Sequence, residues 1–300
     1  MTEPSAEFQR IVAAMPENFN IESDDVATVR AKMKPWHGHP VADNTQVNYS
    51  KVGDMSMAWL RVAECNSATR YALLCHGGGF VSCSADDYLF YAEYISRYLN
   101  CEVAVPDYRL APEHPYPAAL DDCLAAYQAM LAKGIESTSI LFTGDSCGGG
   151  LAASTLLRAR DLKLPMPACL LGLTGWFDLQ LADVNDANGR TEPMITPGWF
   201  RQRVRDYLGE LEPTLPHASP VFADCTGLPP MLLQVGSNDL TLSGSKRLVK
   251  NALQANIHAE LEVIPGMVHG FHGLVSSDVP ESLAAWQAAR RFVDKFLPEG

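Results

Sequence analysis

Residues 139 to 160 constrain the fold more than any other stretch of the 300-residue chain. An apolar run, Ser139-Ile140-Leu141-Phe142-Thr143, leads into Gly144-Asp145-Ser146-Cys147-Gly148, and helix-forming residues follow from 149 to 160. A G-x-S-x-G segment between a strand and a helix requires a turn so tight that a Cβ on either flank of the serine would clash. The serine is then held exposed at the tip. The amides at the helix N-terminus point at it, and they favour negative charge developing there. A strand that ends in such a turn belongs to a sheet whose next strand is reached through a helix.

The rest of the chain has the same rhythm. Residues 46–49 and 55–62 read as a hairpin around Val52-Gly53-Asp54. Further strands are expected at 71–75, 101–105, 139–143, 169–173, 230–235 and 260–264, with helices at 85–99, 121–133, 149–160, 243–254 and 280–296. Strands alternating with helices imply an α/β fold, a mostly parallel eight-stranded sheet with helices on both faces. At 47% hydrophobic residues the chain has enough apolar surface for such a core.

Two stretches break the rhythm. In residues 1–40, Phe8, Ile11, Val12 and Met15 fall at helical spacing, and Ser23-Asp24 reads as a helix cap before Val26, Val29 and Met33. Residues 182–215 are too long for a simple crossover and carry Trp199, Phe200 and Tyr207. The expected organisation is an N-terminal cap segment, 1–40, and a catalytic domain, 41–300, with a second cap segment inserted at about 182–215. Ligand sites in such sheets lie at the carboxyl ends of the strands, under this lid. Trp36, His37 and His39 fall where the lid would close or hinge.

Composition excludes several classes. A net charge of −12 without Lys/Arg runs disfavours nucleic acid and anionic membranes as partners. No apolar stretch reaches the roughly 18 residues of a membrane span, and MTEPSAEFQR has no signal-peptide character. The eight scattered cysteines show no metal-ligand spacing and read as reduced core residues of a cytoplasmic protein. No metal or organic cofactor is expected.

Three further strand-end loops carry chemistry. His76-Gly77-Gly78-Gly79-Phe80 can turn main-chain amides inward, to form an oxyanion hole with the amide of Cys147. A serine hydroxyl is a poor nucleophile at neutral pH and needs a base. Of the eight histidines, only His269 and His272 follow the last strand, and His269, with a glycine after it, fits the base of a Ser–acid–His order. Asp239, after strand 230–235, is the expected acid. Asp178 follows the preceding strand and is assigned to capping or pairing instead, while Asp224 and Asp278 sit away from strand ends.

Together these motifs resemble the hormone-sensitive-lipase-like family of α/β-hydrolases, the bacterial family IV esterases. The resemblance rests on His76–Phe80, on Asp107-Tyr-Arg-Leu-Ala-Pro-Glu-His-Pro-Tyr-Pro-Ala118, on the elbow 144–149, on Ser219-Pro-Val-Phe-Ala223 with Gly227-Leu-Pro-Pro230, and on His269-Gly-Phe271. It implies the α/β-hydrolase fold with a helical cap. It implies Ser146 as nucleophile, Asp239 as acid and His269 as base, with Gly78, Gly79 and the Cys147 amide as oxyanion donors and Gly77 shaping the loop. It further implies hydrolysis of small carboxylic esters with short acyl chains, and often a homodimer through the last strand at the edge of the sheet. A lactonase or amidase would share the chemistry. A receptor on this scaffold would lack the histidine that is present here. Cys147 departs from the usual alanine, and Asn238-Asp239-Leu240 from the commoner acidic cluster. Phe80, Trp176, Phe177, Trp199 and Phe200 are candidate substrate-pocket residues, Asp107, Arg109, Glu113 and His114 belong to a salt-bridged loop behind the oxyanion strand, and Asp145 is expected to support the site without touching substrate.

Overall fold

All eight apolar runs are strands, joined in one sheet in the order β1-β2-β4-β3-β5-β6-β7-β8. They are β1 Gln46–Val52, β2 Met55–Arg61, β3 Tyr71–Cys75, β4 Glu102–Pro106, β5 Ile140–Asp145, β6 Cys169–Leu173, β7 Met231–Gly236 and β8 Ala259–Ile264. The computed structural model describes residues 3–15, 20–34, 39–66, 69–182 and 192–298. Only β1 with β2 and β2 with β4 pair antiparallel; the other five pairings are parallel. Parallel strands are covered on both faces, which is why β5, β6 and β7 are buried at every position. The outermost β1 carries exposed and half-buried residues and none that is buried. Val52 pairs with Met55, leaving Gly53-Asp54 as a two-residue turn with Gly53 at φ 59°.

Helices α4 (Ala118–Ala132), α5 (Cys147–Asp161) and α7 (Leu242–Gln254) bury their apolar residues in the core on one face of the sheet. Helices α3 (Leu89–Leu99) and α8 (Pro280–Phe296) do so on the other. The helix expected from residue 85 opens as a 3-10 turn, Asp86–Tyr88, before α3. Helix α5 begins at Cys147, not at 149, so it starts on the residue after the serine.

The two irregular stretches pack on one another. Helix α1 (Ala6–Ala14) is capped by Ser5, and α2 (Val26–Met33) by Asp25, whose carboxylate accepts the Thr28 amide at 2.7 Å. This places the cap one residue later than Ser23-Asp24, because Asp24 is taken up by the Ile21 amide and the Lys32 ammonium. Helix α6 (Pro197–Leu208) is capped by Thr196, whose hydroxyl also donates to the Asn20 carbonyl at 3.0 Å. The Asn20 side chain donates to the Met194 carbonyl at 2.6 Å, and buried Arg203 of α6 donates to the Asp24 carbonyl at 3.0 Å. Phe8 of α1 is buried against Met267, Val268 and Phe271, in the loop after β8. Its burial contributes roughly 1.5–3 kcal/mol to holding α1 on that loop. Trp36 and His37 lie outside the described residues, and His39 packs edge-on against Phe90.

Candidate active site

Ser146 stands at the tip of the turn between β5 and α5 with φ 57° and ψ −129°, a conformation L-residues rarely adopt. Its neighbours hold it there. The Ser146 amide donates to the Leu173 carbonyl, and the Ser146 carbonyl accepts from the amides of Gly149 and Trp176, all at 3.0 Å. A Cβ on Gly144 would stand 2.2 Å from the Gly148 carbonyl oxygen, and one on Gly148 2.1 Å from that of Cys75. Only glycines let strand, turn and neighbouring strand come this close.

His269 reaches the same point from the loop after β8, and Asp239 from the turn after β7. His269 Nε2 is 2.8 Å from Ser146 Oγ, and its Nδ1 is 3.1 and 3.2 Å from the two oxygens of Asp239. With the proton on Nδ1, the imidazole donates to Asp239 and accepts from the serine hydroxyl. All three residues are buried. Burial by itself lowers the pKa of His269. The charge and hydrogen bond of Asp239, helped by the charges of Glu192 and Asp145, outweigh it and push the imidazole up to about 9.

The oxyanion-loop residues lie across from this pair. Gly78 (φ 111°) and Gly79 (φ 64°) line one cavity with Ser146 and His269. Gly77 does not; a Cβ there would point at the Tyr88 hydroxyl and Asp145. Cys147 is the first residue of α5, so its amide has no acceptor within the helix. Its thiol is fully buried and accepts the Phe80 amide at 3.2 Å. Behind the loop, His76 stacks on Tyr108 at 4.0 Å, and the Tyr108 hydroxyl donates to the His76 carbonyl at 2.8 Å. Burial lowers His76 to about 4, so the ring is neutral. The same segment is anchored by Arg109 on Asp122 and by Arg30 of α2 on Glu113, each at 2.8 Å.

Residues 72–273 match the family described as having the alpha/beta hydrolase fold. The chain belongs to that family. The hydrolase is 31% identical over 250 residues to an acetyl-hydrolase of Streptomyces hygroscopicus, covering 83% of each chain. It is 34% identical over 207 residues to an esterase of Acinetobacter venetianus, covering 68% of each. Among solved structures, an esterase/lipase from an uncultured bacterium superposes with a TM-score of 0.90 at 31% identity, covering 98% of this chain and 99% of that one. An esterase from the bacterial hormone-sensitive lipase family gives 0.87 at 30%, covering 99% and 100%. The hydrolase thus stands with the hormone-sensitive-lipase-like members.

The cavity above Ser146 has a volume of about 120 Å³. Both irregular stretches roof it, with Met15, Asn20 and Met33 from one and Met194, Ile195 and Trp199 from the other. Of the five aromatics expected in the pocket, only Trp199 lines this cavity. Phe80, at φ 67°, turns away from it and stacks on Tyr207 at 3.8 Å. Trp176 and Phe200 stack on each other at 3.7 Å and, with Phe177, border a separate hollow of only about 10 Å³. The Trp176 indole N–H lies 3.4 Å from His269 Nε2, at the margin of the site. The main cavity is instead walled by Tyr88, Phe90 and Tyr91.

Asp178 is engaged by Arg247 and by the Gln180 amide. His272 is buried against Gln234, its Nε2 at 3.1 Å from the side-chain oxygen. Burial lowers it to about 3. Two buried acids lie beside Ser146 and His269, Asp145 as expected of a supporting residue and Glu192 without any expectation from the sequence. Asp145, raised chiefly by burial, accepts from Tyr88 at 2.8 Å, Thr174 at 3.3 Å and Tyr91 at 3.5 Å. Glu192, just before α6, accepts the His269 main-chain amide at 2.7 Å. A lone acid beside Pro193-Met194-Ile195 carries no spacing signal; an acid in an apolar stretch is the only hint.

Proposed function

We propose that this hydrolase, a carboxylic ester hydrolase by family, cleaves short-chain carboxylic esters through an acyl-enzyme on Ser146. The observation that carries the reading is the 2.8 Å contact between Ser146 Oγ and an imidazole whose other nitrogen faces buried Asp239. In the first step Ser146 Oγ attacks the ester carbonyl carbon while its proton passes to His269 Nε2. The carbonyl electrons move onto oxygen, which the amides of Gly78, Gly79 and Cys147 receive; one such donor typically contributes about 2.7–4 kcal/mol in the transition state. Collapse expels the alcohol, which takes the proton from His269. In the second step His269 takes a proton from water, the water oxygen attacks the acyl carbon, and collapse releases the acid while His269 returns that proton to Ser146 Oγ. Asp239 keeps the imidazole in the right tautomer and stabilises it when charged.

The short-chain assignment follows from space. A cavity of roughly 150 Å³ holds a benzene-sized guest, so about 120 Å³ suits a small acyl or alcohol group. The described parts of residues 1–40 and 182–215 act together as a cap over this cavity, supported by Met15, Asn20 and Met33 on one side and Met194, Ile195 and Trp199 on the other. The reading includes a homodimer through the outer edge of β8, supported by its place at the end of the sheet and by Val263, 37% exposed. It also includes action in the cytoplasm, supported by eight cysteines of which none forms a disulfide; cell fractionation that finds the protein outside would refute that. The direct test of the chemistry is Ser146→Ala, assayed on p-nitrophenyl butyrate with fluorophosphonate labelling. We expect labelling to vanish and kcat to fall on the order of 10⁴-fold or more. Wild-type turnover in the variant would sink the assignment.

A further inference from the structure

Glu192 is 1% exposed, yet it carries a carboxyl that hydrolysis as written does not use. Its Oε2 accepts the main-chain N–H of His269 at 2.7 Å, and its Oε1 that of Met194 at 2.8 Å. The two bonds join different parts of the fold. Met194 leads from the insert into α6 and lines the cavity, whereas His269 sits on the loop after β8. Burying a carboxyl is costly unless hydrogen bonds replace its water, and here two main-chain donors do so. Packing alone does not account for an acid at this point. A second carboxylate, Asp239, already faces the same imidazole and repels Glu192. A leucine or methionine would fill the space without that repulsion.

We propose that Glu192 is a positioning residue of the hydrolytic site, clamping the cap insert to the main chain of His269 so that the imidazole stands between Asp239 and Ser146. The inference rests on the esterase reading above. It has a geometric part and an electrostatic one. The bond to the His269 amide fixes the backbone from which the imidazole projects, and a misplacement of about 1 Å in a reacting group costs on the order of 10²-fold in rate. The carboxylate is also a negative charge close to a ring that becomes positive in both steps. The acids acting on the ring are Asp239, Glu192 and Asp145, and those acting on Glu192 are Asp239 and, with opposite sign, His269 itself. Burial, and then the Asp239 charge, push the Glu192 carboxyl up to about 8. The charge of the clamp therefore grows as pH rises, in the same direction in which His269 becomes a free base.

The test uses the full chain and three variants. Glu192→Gln keeps the shape, removes the charge and sets an NH₂ against one of the two main-chain N–H groups. Glu192→Ala removes both acceptors, and Glu192→Asp keeps the charge but shortens the reach by one methylene. For each we would measure kcat and KM on p-nitrophenyl butyrate from pH 5 to 10, the rate of fluorophosphonate labelling, and circular dichroism. The Gln and Ala variants should lose about 10- to 100-fold in kcat with KM within about threefold. The acid limb of kcat/KM should move to lower pH in the Gln variant, because a negative charge beside the imidazole has gone. The Asp variant should keep the acid limb near its wild-type position and recover part of kcat. A Gln variant with wild-type kcat and an unmoved acid limb would overturn the proposal. So would losses that track unfolding by circular dichroism while the limb stays put. If wild-type protein is inert on esters and takes no label, the esterase reading itself has failed; if wild type is active and the Gln variant equals it, only the clamp has.

Discussion

Replacing Asp239 by asparagine tests the assignment of the acid by a change of two atoms' chemistry in an unchanged shape. Asp239 Oδ1 accepts the Thr241 amide at 2.8 Å, and Oδ2 lies 3.1 Å from His269 Nδ1. In asparagine the amide oxygen must stay on the Thr241 N–H, since a nitrogen there would set donor against donor. The NH₂ then takes the place of Oδ2 and donates to Nδ1. That forces the imidazole proton onto Nε2, 2.8 Å from Ser146 Oγ, where a base with no free lone pair cannot accept the serine proton. In a serine protease triad, this tautomer trap lowers kcat by about 10⁴; we expect 10³–10⁴ here, about 4–5.5 kcal/mol in the barrier. The pH profile moves too. His269 is held up to about 9 chiefly by Asp239 against the opposing effect of burial. The imidazole loses its proton as pH rises through that value, so the acid limb of wild-type kcat/KM should lie well above the ordinary histidine range and shift down in the variant. Asp178→Asn is the control, because Asp178 pairs with Arg247 and not with His269. Steady-state kinetics on p-nitrophenyl butyrate decide the matter. An Asp239→Asn enzyme retaining more than a tenth of kcat, or an Asp178→Asn enzyme damaged more severely, would refute the reasoning.

Cys147→Ala strips the Phe80 amide of its acceptor, and a buried N–H left unpaired costs about 1–3 kcal/mol. The urea midpoint should fall accordingly and kcat by a few-fold as the oxyanion loop loosens; unchanged values for both would show that the thiol holds nothing. Burial raises that thiol to about 12, so alkylating reagents should reach it only in denatured protein. Val263→Lys on the outer strand β8 should convert a dimer to a single-chain mass in light scattering, and a wild-type mass already equal to one chain would refute the dimer.

The parts of the fold legible in the sequence are those where local chemistry and burial agree. Strands β3 and β6 and helix α8 fall at the residues expected from their apolar runs and flanking breakers. The elbow is readable because a turn this tight admits only glycine two residues to either side of Ser146. Asp178 was separable from Asp239 because each follows a different strand, and the structure finds it paired with Arg247. The pocket aromatics were not legible. Whether Phe80 faces the cavity or Tyr207 is decided by a φ of 67° and by the packing of α6, neither of which is local sequence information. The capping register at Asp25 turned on which of two adjacent acids Lys32 engages, eight residues from Asp24. Glu192 was invisible because its partner is a main-chain amide 77 residues away, and main-chain groups leave no mark on composition.

The separations along the chain also bear on biosynthesis. Ser146 and His269 are 123 residues apart, and Ser5, which caps α1, donates to Glu281 of α8 across 276 residues. Through Phe8, α1 buttresses the loop that carries His269. On the proposed mechanism, a nascent chain therefore exposes its serine on the ribosome long before it owns a base. On that mechanism it becomes able to attack an ester only once the loop of His269 has been translated and has met Ser146. Contacts of such long sequence separation make folding slow, and a chain cut short before His269 lacks the base of the proposed mechanism.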